Sequence, residues 1–118
     1  MIADNDPEVL DLLASDLRAS GHDVVGSAPG GDEALALCIE VQPDVLVVDY
    51  RMPPGPNGLE TAARLREIQP DTHIILYTNY RKPDIRREAD RLGVVHLLKG
   101  NIRALRRAVA DGPKPTDA

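Results

Sequence analysis

The stretch from Pro43 to Pro53 (PDVLVVDYRMP) constrains this chain more than any other. Val45-Leu46-Val47-Val48 is a run of four apolar residues, three of them β-branched, bounded by Pro-Asp before it and Met-Pro after it. β-Branched side chains favour extended backbone, and an unbroken apolar run marks a strand covered on both faces. The strand ends on Asp49, so a carboxylate arrives at the carboxyl edge of a sheet, where open parallel α/β sheets bind ligands. A bare acid there is costly unless something cationic meets it. On this stretch alone two readings stay open: a functional acid, or an Asp that caps the turn before Met52-Pro53.

The rest of the chain supplies the layers that such a strand requires. Met1-Ile2-Ala3 is a short apolar start. Asp6 is a good N-cap and Pro7 a good first helical residue, and Leu10, Leu13, Ala14 and Leu17 follow at helical spacing until Gly21. A second strand is expected within His22 to Ala28, around Val24-Val25. Asp32 is expected to cap a second helix running from Ala34 to Val41. A third helix is read from Gly58 to Gln69 with Leu59, Ala62, Ala63, Leu65 and Ile68 inward, and a fourth strand from Thr72 to Thr78. Lys82-Pro83-Asp84 starts a fourth helix, which turns Ile85, Ala89 and Leu92 inward and closes at Gly93. Val94 to Leu98 is the fifth strand, and Asn101 caps a last helix carrying Ile102, Leu105 and Val109. Five strands alternating with five helices imply one doubly wound parallel sheet with helices on both faces, in the flavodoxin-like order 2-1-3-4-5. The domain is expected to occupy residues 1–111, with 112–118 a polar tail or linker remnant.

Composition narrows the function. The chain of 118 residues has room for one domain and contains a single cysteine, Cys38, read as a buried helix residue, so neither a disulfide framework nor a cysteine metal cluster is expected. No run is long enough to span a bilayer and no basic-then-apolar leader is present, which leads us to expect a soluble, cytoplasmic protein without a membrane partner. Three tyrosines are the only aromatic residues, so a base-stacking platform is not expected and neither is direct nucleic-acid binding. Residues 1–49 hold eleven acids and one base, whereas residues 81–107 hold nine bases and three acids. That asymmetry points to two differently charged faces, although ordinary solvated helix surface accounts for most of the arginines.

The strand ends gather chemistry. Strand one runs into Asp4, Asn5 and Asp6, strand three into Asp49, strand four into Thr78 and strand five into Lys99. Clustered carboxylates repel unless a cation lies among them, and a hard divalent ion with oxygen ligands, Mg²⁺, would relieve this. A lysine and a hydroxyl beside a metal-bound carboxylate are what phosphoryl transfer needs, and the carboxylate itself can be the nucleophile. Each residue alone has a dull explanation: Asp6 a cap, Thr78 a strand residue, Lys99 a surface charge.

Together they resemble the receiver domain of two-component response regulators, from Ile2 to Ala110. The matching pieces are Ala3-Asp4-Asn5-Asp6-Pro7, Val24-Val25-Gly26-Ser27-Ala28, Pro43-Asp44 through Asp49 to Met52-Pro53, Gly58-Leu59-Glu60, Ile74 to Thr78 and Leu97-Leu98-Lys99. The VVGSA strand is similar to that of the NarL/LuxR-type subgroup, whose members usually carry a C-terminal helix-turn-helix domain. The resemblance implies that Asp49 accepts a phosphoryl group from a sensor histidine kinase. It implies that Asp4, Asn5, Asp49 and the backbone carbonyl of Arg51 hold Mg²⁺. It further implies that Thr78 and Lys99 bind the phosphoryl group and switch a surface on helix 4, strand 5 and helix 5, through which a homodimer or an effector would dock. Such a domain is not an enzyme beyond self-limiting phosphotransfer and dephosphorylation.

This chain departs from the family pattern at several places. Asn5 stands where a second acid is usual, so weaker Mg²⁺ binding is expected. The loop Pro54-Gly55-Pro56-Asn57 is one residue longer, and the turn before strand five is one shorter. His96 takes the aromatic switch position, and Lys99-Gly100 replaces Lys-Pro. About four residues that normally precede Ile2 are not in this sequence. Without proline, a trans Lys99-Gly100 bond is expected, with Gly100 at positive φ and Lys99 still reaching Asp49. Two other functions compete: a degenerate receiver that binds a partner without phosphorylation, and a haloacid-dehalogenase-type phosphatase using Asp4-Asn5-Asp6. The phosphatase reading leaves Asp49 unexplained and finds no acid between Lys99 and Asp111.

Overall fold

A computed structural model describes residues 1–112. Five short strands, β1 (Ile2–Ala3), β2 (Ser27–Ala28), β3 (Val45–Val48), β4 (His73–Thr78) and β5 (Val95–Leu98), form one parallel sheet in the order β2-β1-β3-β4-β5. Five helices connect them: α1 (Pro7–Ala19), α2 (Gly31–Val41), α3 (Gly58–Ile68), α4 (Pro83–Leu92) and α5 (Ile102–Asp111). The doubly wound fold expected from the alternating pattern is therefore the fold observed. The tail reading for 112–118 falls, from residue 113 on, outside the described residues.

Strand side chains alternate between two cores. Ile2, Val47, Ile75 and Tyr77 face α1 and α5, where Leu13, Leu17, Leu105 and Val109 cover them. Ala3, Leu46, Val48, Ile74 and Leu76 face the other way, against Ala34 and Cys38 of α2, Leu59, Ala62 and Leu65 of α3, and Ile85 and Ala89 of α4. The apolar strands thus lie between two helical layers, each fully buried Leu or Ile contributing about 1.5–3 kcal/mol.

Local chemistry explains most boundaries. Asp6 accepts the Glu8 amide at the start of α1, with Pro7 at the first helical position. Asn57 and Glu60 form a reciprocal capping box on α3. Gly93 ends α4 in the left-handed region at φ +68°.

Three expectations need correction. The second strand does not run through Val24-Val25. The parallel register pairs Ile2 with Ser27, and the Ile2 amide donates to the Gly26 carbonyl, so no β1 backbone lies opposite Val24 or Val25; Val25 is 44% exposed. Asp32 does not cap α2: the helix begins at Gly31 with Gly30 as its N-cap, and Asp32 lies in the first turn facing Arg64. Ile68 is not inward but 51% exposed, because α3 ends there and Gln69 turns in instead, its amide Nε2 donating to the Cys38 carbonyl.

Most of the basic charge on α4 is met locally. Arg86 pairs with Asp90, Arg87 with Asp84 and Arg91 with Glu88, all on one exposed helix, and Arg106 of α5 reaches across to Asp16 of α1. Exposed pairs of this kind contribute only about 0.3–0.5 kcal/mol each. Among the described residues no helix is long and apolar enough to cross a membrane.

Candidate functional site

Parallel pairing brings the ends of β1, β3, β4 and β5 to one edge, where Asp4, Asp49 and Lys99 meet and Thr78 ends β4. The Asp49 amide donates to the Ala3 carbonyl at 2.9 Å, which fixes the β3 end beside the β1 end. The Lys99 amide donates to the Thr78 carbonyl at 3.0 Å, extending the β4–β5 ladder by one residue and setting where the lysine stem starts. Asp4 is 2% and Asp49 8% exposed, and Thr78 is completely buried. Lys99 Nζ lies 2.7 Å from Asp4 Oδ2 and 3.1 Å from Asp49 Oδ2, bridging the two carboxylates. Their other oxygens are also held: Asp4 Oδ1 accepts the Asp6 amide at 2.9 Å and Asp49 Oδ1 accepts the Tyr50 amide at 2.8 Å.

Burial works to lower the Lys99 pKa. The hydrogen bond it donates to Asp4 and the charges of Asp49 and Asp4 outweigh that, so the pKa stands above the ordinary lysine value. The ammonium is therefore charged throughout the neutral range. Two carboxylates against one ammonium leave one negative charge uncompensated in a nearly dry site.

That surplus charge is the observation against which a metal can be tested. The donors brought together here are hard oxygens, the carboxylates of Asp4 and Asp49. This set fits Mg²⁺, which favours few carboxylates and keeps several waters. Among the described residues no cluster of three or more His, Cys, Asp or Glu gathers, so a third protein acid is not part of it. Asn5 is exposed on the turn after β1 and makes no hydrogen bond to the Asp4–Lys99–Asp49 group.

Two backbone features hold the edge in place. Gly58, the first residue of α3, packs so closely that a Cβ there would stand 2.1 Å from the Asp49 carbonyl oxygen and 2.8 Å from Leu76 Cδ1. Its amide donates to the Tyr50 carbonyl at 2.7 Å, tying α3 to the end of β3. Gly100 follows the lysine at φ +98°, and its amide donates to the Tyr77 hydroxyl at 3.0 Å. Among the described residues Pro53–Pro54 is the only cis bond, so Lys99–Gly100 is trans, and Asn101 caps α5 through the Ala104 amide. The lysine reaches both acids without a proline behind it.

Sequence reasoning missed three contributors. Tyr80, on the loop after β4, lies against Tyr50 with ring centroids 5.5 Å apart, and its hydroxyl accepts from Arg51 Nη1 at 3.2 Å. Tyr77 fits the sequence pattern as a strand residue, yet its hydroxyl also accepts the Gly100 amide and pins the Lys99-Gly100 turn. Arg66 of α3 donates to the carbonyls of Leu92 and Gly93 at 2.9 and 3.0 Å, and also to Pro70 and Thr72, clasping the end of α4. Tyr77 and Tyr80 carry one signal in the sequence, as two of its three aromatic residues, and Arg66 carries none.

The family model described as response regulator receiver domain matches residues 1–109. This chain is a response regulator receiver domain. Among solved structures this receiver is similar to the signal receiver domain of the putative response regulator NarL from Mycobacterium tuberculosis. The two are 34% identical over 93% of this chain and 90% of that one, with a TM-score of 0.85. It is also similar to the receiver domain of AraT, a response regulator from Geobacillus stearothermophilus, at 35% identity over 93% of this chain and 88% of that one, with a TM-score of 0.80. A curated relative, the DNA-binding dual master transcriptional regulator RpaA of Synechocystis, is 36% identical over 53 residues. That match takes in 45% of this receiver and 22% of the longer protein.

Proposed function

We propose that this receiver is a phosphoacceptor switch of a two-component system, in which Asp49 takes a phosphoryl group from a sensor histidine kinase. One observation carries the reading: the Asp49 carboxylate ends an apolar strand, almost dry, with the Lys99 ammonium at 3.1 Å and bridging it to the buried carboxylate of Asp4. In the transfer, an Asp49 oxygen attacks the phosphorus of a phosphohistidine and the P–N bond breaks. The imidazole leaves with the electron pair and takes a proton from solvent. Lys99 neutralises charge on the phosphoryl oxygens, and the Thr78 hydroxyl donates a hydrogen bond to one of them. Asp4, Asp49 and the Arg51 carbonyl would hold Mg²⁺, which when bound neutralises further charge on the transferring group. Asn5 in place of an acid makes this metal site weaker than a three-acid one.

The output surface follows as α4, β5 and α5, for a second copy or an effector. Direct contact with nucleic acid is left to whatever the chain works with. The location consistent with a kinase partner of this kind is the cytoplasm.

A second reading, a receiver that binds its partner without phosphorylation, is favoured by the exposed Asn5 and by His96 in the switch position. Incubation with acetyl phosphate and Mg²⁺, followed by intact mass measurement, separates the two. One added phosphoryl group, absent in Asp49→Asn, is the expected result. An unmodified wild-type chain supports the interaction module instead, and modification persisting in Asp49→Asn removes Asp49 from the role.

A further inference from the structure

Lys99 stands where strand gives way to helix, and its backbone is held on both sides. Its own amide donates to the Thr78 carbonyl at 3.0 Å, the last rung between β4 and the end of β5. The next amide, that of Gly100, donates to the Tyr77 hydroxyl at 3.0 Å. Tyr77 and Thr78 are neighbours at the end of β4, so one strand end fixes the chain before and after the lysine stem. Beyond them Asn101 accepts the Ala104 amide and starts α5.

The bond to Tyr77 answers a need that the Lys99-Gly100 pair creates. Gly100 stands at φ +98°, a conformation open to glycine, and glycine also has the widest choice of other conformations. A Lys-Pro pair would bring no N–H to this turn, whereas a Lys-Gly pair brings one that has to be met. That N–H lies past the last rung of the ladder and ahead of the Asn101 cap, and among the described residues it has no backbone acceptor. The phenol meets it from the core side. Tyr77 is only 5% exposed, in the cluster that holds Ile2, Val47, Ile75, Leu105 and Val109. A phenylalanine would fill the same space, so packing accounts for the ring and not for the hydroxyl.

The ammonium at the far end of this flexible stem stands 2.7 Å from Asp4 and 3.1 Å from Asp49. We propose that Tyr77 is a positioning residue for phosphoryl transfer: its hydroxyl clamps the Gly100 amide and so holds the Lys99 ammonium between Asp4 and Asp49. The clamp rests on the phosphoacceptor reading above, and Tyr77 itself touches no reacting atom. Without the hydroxyl, Gly100 is free to leave φ +98°, the ammonium spends less time between the acids, and charge on the transferring group is met less fully.

Tyr77→Phe keeps the ring and loses only the clamp. Modification of Asp49 by acetyl phosphate and Mg²⁺, followed by intact mass over time, is expected to slow about tenfold in this variant, with the chain folded by circular dichroism. The Lys99 titration, read from its Cε NMR signals in a pH series, is expected to move down towards the ordinary lysine value. Val109→Ala trims the same core without touching the turn, so it should lose stability while keeping both the rate and the Lys99 titration of wild type. A folded Tyr77→Phe with either the wild-type rate or the wild-type Lys99 titration overturns the clamp, as does a Val109→Ala slowed to the same extent. Where Tyr77→Phe does not fold, hydrogen exchange at the Gly100 amide of wild type decides: exchange as slow as at the Lys99 amide supports the clamp, and exchange at the rate of a solvent-bound amide overturns it. A wild-type chain left unmodified at Asp49 overturns the phosphoacceptor reading and with it the role in transfer, while the Lys99 titration separates that result from loss of the clamp.

Discussion

At the carboxyl edge of the sheet Asp4, Asp49 and Lys99 are paired with one another, and Gly58 packs at contact distance against Asp49 and Leu76. At the amino edge the same strands end in an open groove of about 400 Å³, lined by Val24, Val25, Val41, Val45 and Val109. There, β1 offers no backbone to Val24 and Val25, and His73 Nε2 is buried without a partner. Burial lowers the His73 pKa, so that ring is kept neutral, while the Lys99 pKa is raised and its charge is kept. Placing two acids and a lysine in a dry site is costly, and the carboxyl edge offsets that cost with mutual contacts and close packing. Asp23 and Asp44 line the amino edge, but among the described residues no lysine bridges them as Lys99 bridges Asp4 and Asp49. Functional geometry has concentrated at one end of strands that are only two to six residues long.

The contrast is broken most severely at Gly58. Gly58→Ala places a methyl group 2.1 Å from the Asp49 carbonyl oxygen, and α3 has to move off the end of β3. A loss of about 3 kcal/mol or more is expected in urea unfolding. A loss below about 1 kcal/mol would mean that the carboxyl edge is as yielding as the amino edge.

Lys99→Met comes next. Removing the ammonium leaves two carboxylates facing each other, and a loss of about 3 kcal/mol in the presence of a chelator is expected, partly recovered on adding Mg²⁺. The sign with pH follows from the raised pKa. The stabilisation by Lys99 is fully present below the ordinary lysine value and disappears as pH climbs through the higher folded one. Wild type should therefore lose stability at alkaline pH by a step that Lys99→Met lacks. Parallel alkaline profiles would show that the ammonium is not coupled to the acids.

A sharper and smaller effect is expected at Gly100. Proline, common at this place in the family, needs φ near −65° and has no N–H, whereas Gly100 stands at φ +98° and donates to Tyr77. Gly100→Pro should cost about 2 kcal/mol and displace Lys99, with Tyr77→Phe reproducing about 1 kcal/mol of it. A neutral Gly100→Pro would show that the turn has a second conformation available.

At the other end, Val25→Thr should change stability by less than about 0.5 kcal/mol, because the side chain is already 44% exposed. A thermal or urea midpoint well outside that range would show that the groove is packed more tightly than its outline suggests.

The sheet order and the positions of Asp4, Asp49, Thr78 and Lys99 were legible because each follows a short apolar run, and parallel strands must deliver their ends together. The helices were legible from caps such as Asp6 and Asn101 and from the terminating Gly93. The second strand was misplaced because β-propensity at Val24-Val25 says nothing about whether a neighbouring strand is long enough to pair with it. Ile68 was misplaced because the last turn of a helix need not face the core. The bonds of Arg66 and Tyr77 were invisible for another reason. Their contacts are with backbone atoms, which every residue has, so no pairing of side-chain types in the sequence points to them.

The Arg66 clasp has a mechanical consequence. α4 is ten residues long, a rod of about 15 Å. One end is fastened to α3 through the Leu92 and Gly93 carbonyls, and the other starts at Lys82 with no side-chain cap. A rod pinned at its far end turns about the pin, so the clasp makes Leu92–Gly93 the fulcrum and gives the largest travel to the end beside the site. Displacement there would grow along α4 from nothing at Leu92 to its greatest value at Pro83, which makes α4 a lever whose long arm begins three residues after Tyr80.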